Sequence, residues 1–172
     1  MKLKNKVVII TGGSRGIGKS IAGEYLKEGA NVVIASRGEK ELENTVKEFQ
    51  SIDRKRILGV QTDVSVKKDV QGLIGRAERE FGCVDILVNA AGILSPMGSL
   101  LDVDEEEWVY CIRVHLIGTM YCCKFVLPGM ISKGTGKIIN FFGGGASKPI
   151  GQVSAYTSAK YSVARFTECL AE

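Results

Sequence analysis

The amino-acid sequence predicts an α/β protein built on a doubly wound parallel sheet. Short β-branched runs alternate along the chain with amphipathic stretches of helical period, and Gly, Asn or Asp marks the switches between them. Most of the runs are too apolar to have one face in water, which is typical of parallel strands covered by helices on both sides. Right-handed crossovers and a glycine-rich first turn favour the strand order 3-2-1-4-5, with a ligand across the carboxyl ends of the strands.

Five strands are expected, and they cover residues 6–10, 31–35, 57–61, 84–89 and 137–142. Apolar residues at helical spacing predict one helix in each gap between the first four strands. A longer helix is predicted from Asp104 to about Met130, with acidic residues in its first turn, and a last helix runs from about Ser154 to the end.

Length and composition limit the classes of function. The 172 residues suffice for one domain with a sizeable core, and 45% hydrophobic with 24% charged residues is ordinary for a soluble globular protein. The net charge of +4 comes from interleaved basic and acidic residues, which is weak evidence for nucleic acid. The apolar stretch 7–10 is too short for a signal sequence or a membrane span, so we expect a cytoplasmic protein without a nucleic-acid or membrane partner. Five cysteines lack metal spacing and are read as reduced thiols, so no metal site is predicted.

The first strand runs into a glycine-rich turn, Thr11-Gly12-Gly13-Ser14-Arg15-Gly16-Ile17-Gly18. Glycine permits the tight turn and lets backbone amides approach a pyrophosphate at a helix N-terminus, where the helix dipole favours anions. The turn therefore predicts a seat for a dinucleotide, although a strand-to-helix turn without a ligand would use the same residues. A phosphoryl-transfer enzyme is a more distant alternative, because Gly13, Gly18, Lys19 and Ser20 formally match a phosphate-binding loop.

The second strand ends in Ala35-Ser36-Arg37, where an NAD enzyme would place a carboxylate against the ribose hydroxyls. No carboxylate repels a phosphate there, and Arg37 and Arg15 could both reach a 2′-phosphate. We therefore expect NADP(H) to be preferred, with NAD(H) as the possible second cofactor. Two solvated surface arginines are the alternative interpretation.

Four motifs follow one another along the chain. They are the glycine turn after Thr11, then Asp63-Val64, then Asn89-Ala90-Ala91-Gly92, and finally Tyr156 with Lys160 four residues later. In order and separation they resemble the short-chain dehydrogenase/reductase family over essentially the whole chain. The resemblance implies a Rossmann-type dinucleotide-binding domain over residues 1–172 and an NAD(P)-dependent oxidoreductase acting on a small hydroxyl or carbonyl substrate. It also implies that Asp63 holds the adenine amino group, that Val64 lines the adenine pocket, and that the Asn89 segment passes beneath the cofactor.

Tyr156 and Lys160 lie one helical turn apart and share a helix face. A free tyrosine has a pKa of about 10, and a nearby ammonium that stabilises the phenolate would help it exchange protons at neutral pH. The resemblance implies that Tyr156 protonates the carbonyl oxygen during hydride transfer and that Lys160 also binds the nicotinamide ribose. The full set of expected cofactor-binding residues is Gly12, Ser14, Arg15, Gly16, Ile17, Gly18, Ser36, Arg37, Asp63, Val64, Asn89, Ala90, Ala91, Gly92, Tyr156 and Lys160.

The chain departs from the family pattern at two positions of the expected site. Family members carry a serine about thirteen residues before the tyrosine, and here that position is Gly143, preceded by Phe142. Neither side chain can donate a hydrogen bond, and losing one such donor typically costs about 10²–10³ in rate. Ser147, beyond the triple glycine, is a weaker candidate for this role. His115 replaces the usual asparagine; it is a catalytic candidate because histidine can relay protons, and the alternative is a satisfied polar residue on a packed helix.

The resemblance also implies at least one further strand and a lid beyond Glu172. We therefore expect a C-terminally incomplete member, and a fragment, a truncated reading frame and a decayed relative stay open as explanations. The fifth strand would then be a sheet edge unless a partner covers it. A homo-oligomer through the two longest helices, which contain Trp108 and Phe166, is implied as well. The competing function is a catalytically impaired dinucleotide-binding or interaction protein.

Overall fold

A computed structural model of the chain describes residues 1–148 and 150–172. Its strands are β1 (Val7–Thr11), β2 (Asn31–Ser36), β3 (Ile57–Gln61), β4 (Ile86–Asn89) and β5 (Lys137–Asn140). Over the described residues they form one parallel sheet in the order β3-β2-β1-β4-β5, in which Ile9 pairs with Val33 on one side and Leu87 on the other. The predicted α/β class, doubly wound sheet and strand order are confirmed.

The helices that cover the sheet are α1 (Gly16–Lys27), α2 (Glu39–Asp53), α3 (Lys67–Phe81), α4 (Glu105–Ile112), α5 (Gly118–Lys133) and α6 (Ser154–Ala171). Asp104 fixes the start of α4, because its side chain accepts a hydrogen bond from the backbone N–H of Glu107 at 2.9 Å. A π-helical turn at Arg113–Ile117 joins α4 to α5. The predicted long helix is therefore present, but its middle turn, which carries His115, is wider than an α-helix.

Alternate residues of each strand enter two separate cores, one on each face of the sheet. Ile9 belongs to the core formed with α3 and α5, where Leu73 is fully buried. Val8 belongs to the core formed with α1 and α2, where Phe49 is buried. Both faces of the sheet are thus covered, and a ligand of a doubly wound sheet binds at the carboxyl ends of its strands.

The continuous helix Glu105–Lys133 is long and apolar enough, by length and composition, to cross a membrane. In the structure it packs against α3 and β4, and Cys122 and Val126 on its inner face belong to the core of the sheet. A core helix passes the same test of length and composition, and this is the position that the helix has here.

β1 and β4 begin later than predicted, at Val7 and Ile86. Asp85 lies between the two strand starts, and its side chain accepts the backbone N–H of Val7 at 2.9 Å. The same carboxylate pairs with Lys6 at 3.3 Å and with Lys133 at 2.5 Å. A buried aspartate therefore joins both strands to the end of α5 at the amino edge of the sheet.

β5 ends at Asn140, although it was predicted to continue to Phe142. The carbonyl of Phe141 accepts a hydrogen bond from Lys160 Nζ at 2.6 Å instead of continuing the strand. Gly143 then turns the chain with φ 55° and ψ −169°. The end of the strand is thereby drawn into the site described next.

Candidate active site

The turn between β1 and α1 approaches the loop after β4 very closely. A Cβ on Gly12, whose φ is 68°, would lie 2.9 Å from the carbonyl oxygen of Ala90 and from the backbone nitrogen of Ala91. A Cβ on Gly18 would overlap the carbonyl group of Gly12. The backbone N–H of Ala91 donates to Thr11 Oγ1 at 3.1 Å and holds the two loops together. Glycine at these positions is required by the packing of backbone on backbone.

The N-terminus of α1 is open to a ligand. Its N-cap residue, Arg15, makes no side-chain capping hydrogen bond in the described part of the chain, and the first turn contains no acidic residue. Among the residues that the structure describes, none beyond Gly16 and its neighbours in the chain lies within 4 Å of the position that a Cβ on Gly16 would take. Amides at the start of a helix are unpaired and lie at the positive end of its dipole. These residues fit the pyrophosphate of a dinucleotide.

A cavity of about 780 Å³ extends from this turn past the ends of β2 and β3 to the loop after β4. It brings together thirteen of the predicted cofactor-binding residues: Gly12, Ser14, Arg15, Gly16, Ile17, Gly18, Ser36, Arg37, Asp63, Val64, Ala90, Ala91 and Gly92. Asn89, Tyr156 and Lys160 do not line it.

Glu41 lines the same cavity and was not among the predicted residues. It belongs to the first turn of α2, and its Oε2 lies 3.5 Å from the position that a Cβ on Gly38 would take. An acidic residue in a first turn is explained by the helix dipole alone, so the sequence offered no separate signal of a ligand contact. Its charge matters here because Arg15 and Arg37 line the same cavity.

Lys19 and Ser20, which formally match a phosphate-binding loop, have other partners. Lys19 Nζ pairs with Glu48 on α2 at 2.7 Å. Ser20 Oγ donates to the carbonyl of Gly16 at 3.1 Å. Neither residue lines the cavity, so the geometry does not favour phosphoryl transfer.

Arg37 and Asp63 are connected through the hydroxyl of Tyr110. Arg37 Nη1 donates to Tyr110 Oη at 2.5 Å, and Tyr110 Oη donates to Asp63 Oδ2 at 3.0 Å. Ser65 donates both its Oγ–H, at 2.7 Å, and its backbone N–H, at 2.9 Å, to Asp63 Oδ1. Burial acts to raise the pKa of Asp63, but the hydrogen bonds from Ser65 and Tyr110 and the charge of Arg37 hold this pKa below its ordinary value. Asp63 is therefore a carboxylate at neutral pH.

Asn89 has a structural position behind the cavity. Its Nδ2 donates to Asn140 Oδ1 at 2.9 Å and to Cys123 Sγ at 3.6 Å. Asn140 Nδ2 in turn donates to Thr167 Oγ1 at 2.9 Å. The ends of β4 and β5 are thus connected to α5 and α6, which fixes the loop of Ala90 to Gly92 that does line the cavity.

The hydroxyl of Tyr156 lies beside the turn that follows β5. A Cβ on Gly143 would be 3.6 Å from Tyr156 Oη, so the position where a serine was expected is indeed next to the phenol. The φ and ψ of Gly143 fall in a region that almost only glycine adopts. Ser147 does not replace the missing donor in this structure, because it is exposed and its Oγ donates to the carbonyl of Gly144 at 3.0 Å.

Lys160 is buried next to Tyr156, with 8% of the residue exposed. Its Nζ donates to the carbonyl of Phe141 at 2.6 Å and lies 5.7 Å from the centroid of the Tyr156 ring. Burial lowers the pKa of Lys160 from its ordinary value, while Cys111 acts in the opposite direction. Lys160 thus places a buried amine beside the ring of Tyr156.

His115 packs against Tyr156. The two rings meet edge to face with centroids 5.3 Å apart, and a Cβ on Gly92 would lie 2.5 Å from Cε1 of the imidazole. His115 Nε2 lies 2.8 Å from the carbonyl oxygen and 3.1 Å from the nitrogen of Ile93, and Nδ1 is buried without a hydrogen-bond partner in the described chain. Burial lowers the pKa of His115 to about 4, so its ring is neutral at neutral pH.

The sheet topology, the glycine turn and the cavity at the strand ends define a Rossmann-type α/β protein. A family model described as short chain dehydrogenase matches residues 6–172, and the chain belongs to this family. The resemblance predicted from the four sequence motifs is thereby confirmed. It is an oxidoreductase family in the relatives' own descriptions.

Three similar proteins illustrate the match. An uncharacterised oxidoreductase of Staphylococcus saprophyticus is 32% identical over 170 residues, which are 99% of this chain and 72% of that protein. The crystal structure of levodione reductase superposes with a TM-score of 0.93 and 26% identity, covering 98% of this chain and 66% of its own. A variant of actinorhodin polyketide ketoreductase with NADPH superposes with a TM-score of 0.92 and 30% identity, covering 98% and 65%. The chain therefore spans about two thirds of the length of the two solved structures.

Proposed function

We propose that the protein transfers hydride between NADP(H) and a hydroxyl or carbonyl group of a small molecule. The observation that carries this proposal is the placement of Tyr156 Oη at the end of β5, with the buried Lys160 on the same helix. The family and the NADPH in the ketoreductase structure support a nicotinamide cofactor.

Each part of the site has a separate task in this proposal. The cofactor, when bound, supplies or accepts the hydride. The amides at the start of α1 hold its pyrophosphate, and the Gly12 to Gly18 turn permits the close approach. Tyr156 moves the proton to or from the substrate oxygen, and Lys160 stabilises its phenolate and binds the nicotinamide ribose. The neutral ring of His115 fixes the orientation of Tyr156 by its edge-to-face contact. A role of His115 in moving a proton is part of the proposal as well.

The preference for NADP(H) rests on charge at the end of β2. Arg37 and Arg15 line the cavity, and the strand end itself carries Ser36 rather than a carboxylate. Glu41 opposes this preference, since it lies beside Gly38 at the same strand end. Arg15 and Arg37 equal in number the two carboxylates that line the cavity, Glu41 and Asp63. Asp63 already accepts hydrogen bonds from Ser65 and Tyr110, so the guanidinium of Arg37 at the end of β2 is the group that favours a phosphate.

A catalytically impaired dinucleotide-binding protein is the second candidate function. It is favoured by the conformation of Gly143, because this position has neither a hydroxyl nor a backbone that readily accepts one. An enzyme without one of its preorganised donors is expected to be slower by about 10²–10³. The seat for the nucleotide does not depend on this donor.

The test combines binding with turnover. NADPH is titrated by its fluorescence, and its oxidation is followed by absorbance with a panel of aliphatic and aromatic ketones. We expect binding and slow turnover by the wild type, and binding without turnover by Tyr156→Phe. The control is Tyr161→Phe, which removes the hydroxyl of an exposed tyrosine on α6. Binding without turnover by the wild type would select the impaired protein, and no binding would contradict both functions.

We also propose a cytoplasmic homo-oligomer whose copies meet through the helices that contain Trp108 and Phe166. Val109 on α4 is an exposed apolar residue that such an interface would cover. The mass in solution tests this proposal, and a monomer at high protein concentration would contradict it. Neither a nucleic-acid nor a membrane partner is proposed.

A further inference from the structure

Tyr110 does not line the cavity, yet its hydroxyl is bonded to two residues that do. It accepts a hydrogen bond from Arg37 Nη1 and donates one to Asp63 Oδ2. A phenolic hydroxyl can accept and donate at once. A continuous chain therefore runs from the end of β2, through α4, to the end of β3.

Arg37 is anchored at both of its ends. Its backbone carbonyl accepts a hydrogen bond from Gln61 Nε2 at 3.0 Å. Its guanidinium carbon lies 5.7 Å from the centroid of the Tyr110 ring, within the range of a cation–π contact. An exposed arginine loses much rotamer freedom when it is ordered by a ligand, and here the contacts with Tyr110 order it beforehand.

Both ends of this chain of hydrogen bonds, Arg37 and Asp63, keep hydrogen-bonding groups that a ligand can use. A guanidinium carries five N–H donors, and Arg37 uses only Nη1 in a hydrogen bond within the described residues. The remaining donors of the planar guanidinium can bind two oxygens of a phosphate at once. Asp63 accepts two hydrogen bonds at Oδ1 and one at Oδ2, which leaves a lone pair at Oδ2 for an amino group.

We propose that Tyr110 is a positioning residue for cofactor selection, which orients Arg37 for the 2′-phosphate and Asp63 for the adenine amino group. The proposal rests on the proposed binding of NADP(H) and adds the residue on which its discrimination from NAD(H) depends. Tyr110 acts through its two neighbours and does not itself contact the cofactor.

The test uses two nucleotides without a nicotinamide, so that it does not depend on hydride transfer. Adenosine 2′,5′-bisphosphate and adenosine 5′-monophosphate differ only in the 2′-phosphate, and their dissociation constants are measured by calorimetry. Tyr110→Phe removes the hydroxyl and keeps the ring. We expect the preference for the bisphosphate to fall about three- to tenfold, as for the loss of one hydrogen bond. Tyr161→Phe is the matched control and should leave the preference unchanged.

A double-mutant cycle shows whether Tyr110 acts through Arg37. In an Arg37→Ala background, Tyr110→Phe should cause no further loss of preference for the 2′-phosphate. A second readout needs no nucleotide: Tyr110→Phe should raise the pKa of Asp63, measured by carboxyl NMR, since one hydrogen bond to the carboxylate is removed.

The outcomes separate this inference from the function on which it rests. If the wild type prefers the bisphosphate and Tyr110→Phe keeps the full preference, the role of Tyr110 is overturned and the proposed function stands. An equal loss in the presence and absence of Arg37 overturns it too. If the wild type binds neither nucleotide, both proposals are overturned.

Discussion

Gly143→Ser restores a hydroxyl at the position where the chain departs from its family. A Cβ there would lie 3.6 Å from Tyr156 Oη, so a serine hydroxyl attached to it can share a substrate oxygen with the phenol. One preorganised donor is worth about 10²–10³ in rate, which sets the upper limit of the gain in kcat. The backbone at φ 55° and ψ −169° opposes the change. A residue with a side chain in such a region costs about 1–3 kcal/mol.

Gly143→Ala is the matched control, because it has the same backbone strain and no hydroxyl. Both variants should unfold at a lower temperature than the wild type, by about 2–4 °C for each kcal/mol of strain. Ketone reduction at saturating NADPH should be faster for the serine variant than for the alanine variant. Equal kcat values for the two would refute the argument that a missing donor limits this site.

Three further predictions concern charge. Asp85→Asn should lower the free energy of unfolding by about 2 kcal/mol, since a buried carboxylate with two lysine partners is lost. Burial acts to raise the pKa of Asp85, but hydrogen bonds from Lys133, Val7 and Lys6 together lower it. The contribution of Asp85 to stability is therefore complete above the ordinary carboxyl pKa and is lost as the pH falls through the pKa of the folded protein. Urea unfolding of the wild type and of Asp85→Asn at a series of pH values measures it. Burial lowers the pKa of His115 from 6.5 to about 4, so as the pH falls the unfolded chain binds the proton first, and the free energy of unfolding decreases between pH 6.5 and about 4. His115→Asn should flatten that part of the stability profile. An unchanged profile would contradict a buried neutral ring. Glu41→Gln should lower the dissociation constant of NADPH more than that of NADH, because a negative charge near the 2′-phosphate is removed. Equal changes of the two dissociation constants would show that Glu41 lies too far from the 2′-phosphate.

The elements of the fold were predictable because each has a local cause in the sequence. The apolar runs give the strands, the glycine turn fixes the first crossover, and Asp104 marks the start of the long helix by capping it. The strand end at Asn140 was not predictable, since it depends on the contact of the Phe141 carbonyl with Lys160, nineteen residues away. The π turn around His115 has no evident local signal either.

The candidate site likewise contains residues that the sequence predicted and residues that depend on tertiary packing. Residues on the strand ends and turns were predicted from motifs, and the structure places thirteen of them around one cavity. Glu41 and Tyr110 were missed, because a glutamate in a first helical turn and a tyrosine in an amphipathic helix have ordinary structural explanations. Their positions beside the cavity depend on how α2 and α4 pack on the sheet, which a single sequence does not reveal.

The central claim is that a bound nicotinamide transfers hydride to the substrate and that Tyr156 supplies the accompanying proton. Its most direct measurement uses NADPH in which both hydrogens of the reactive nicotinamide carbon are deuterium, incubated with the wild type and a ketone it reduces. Mass spectrometry of the product alcohol should show one deuterium on the carbinol carbon, and Tyr156→Phe should form no labelled product. An unlabelled alcohol, or equal labelling by the phenylalanine variant, would contradict the claim.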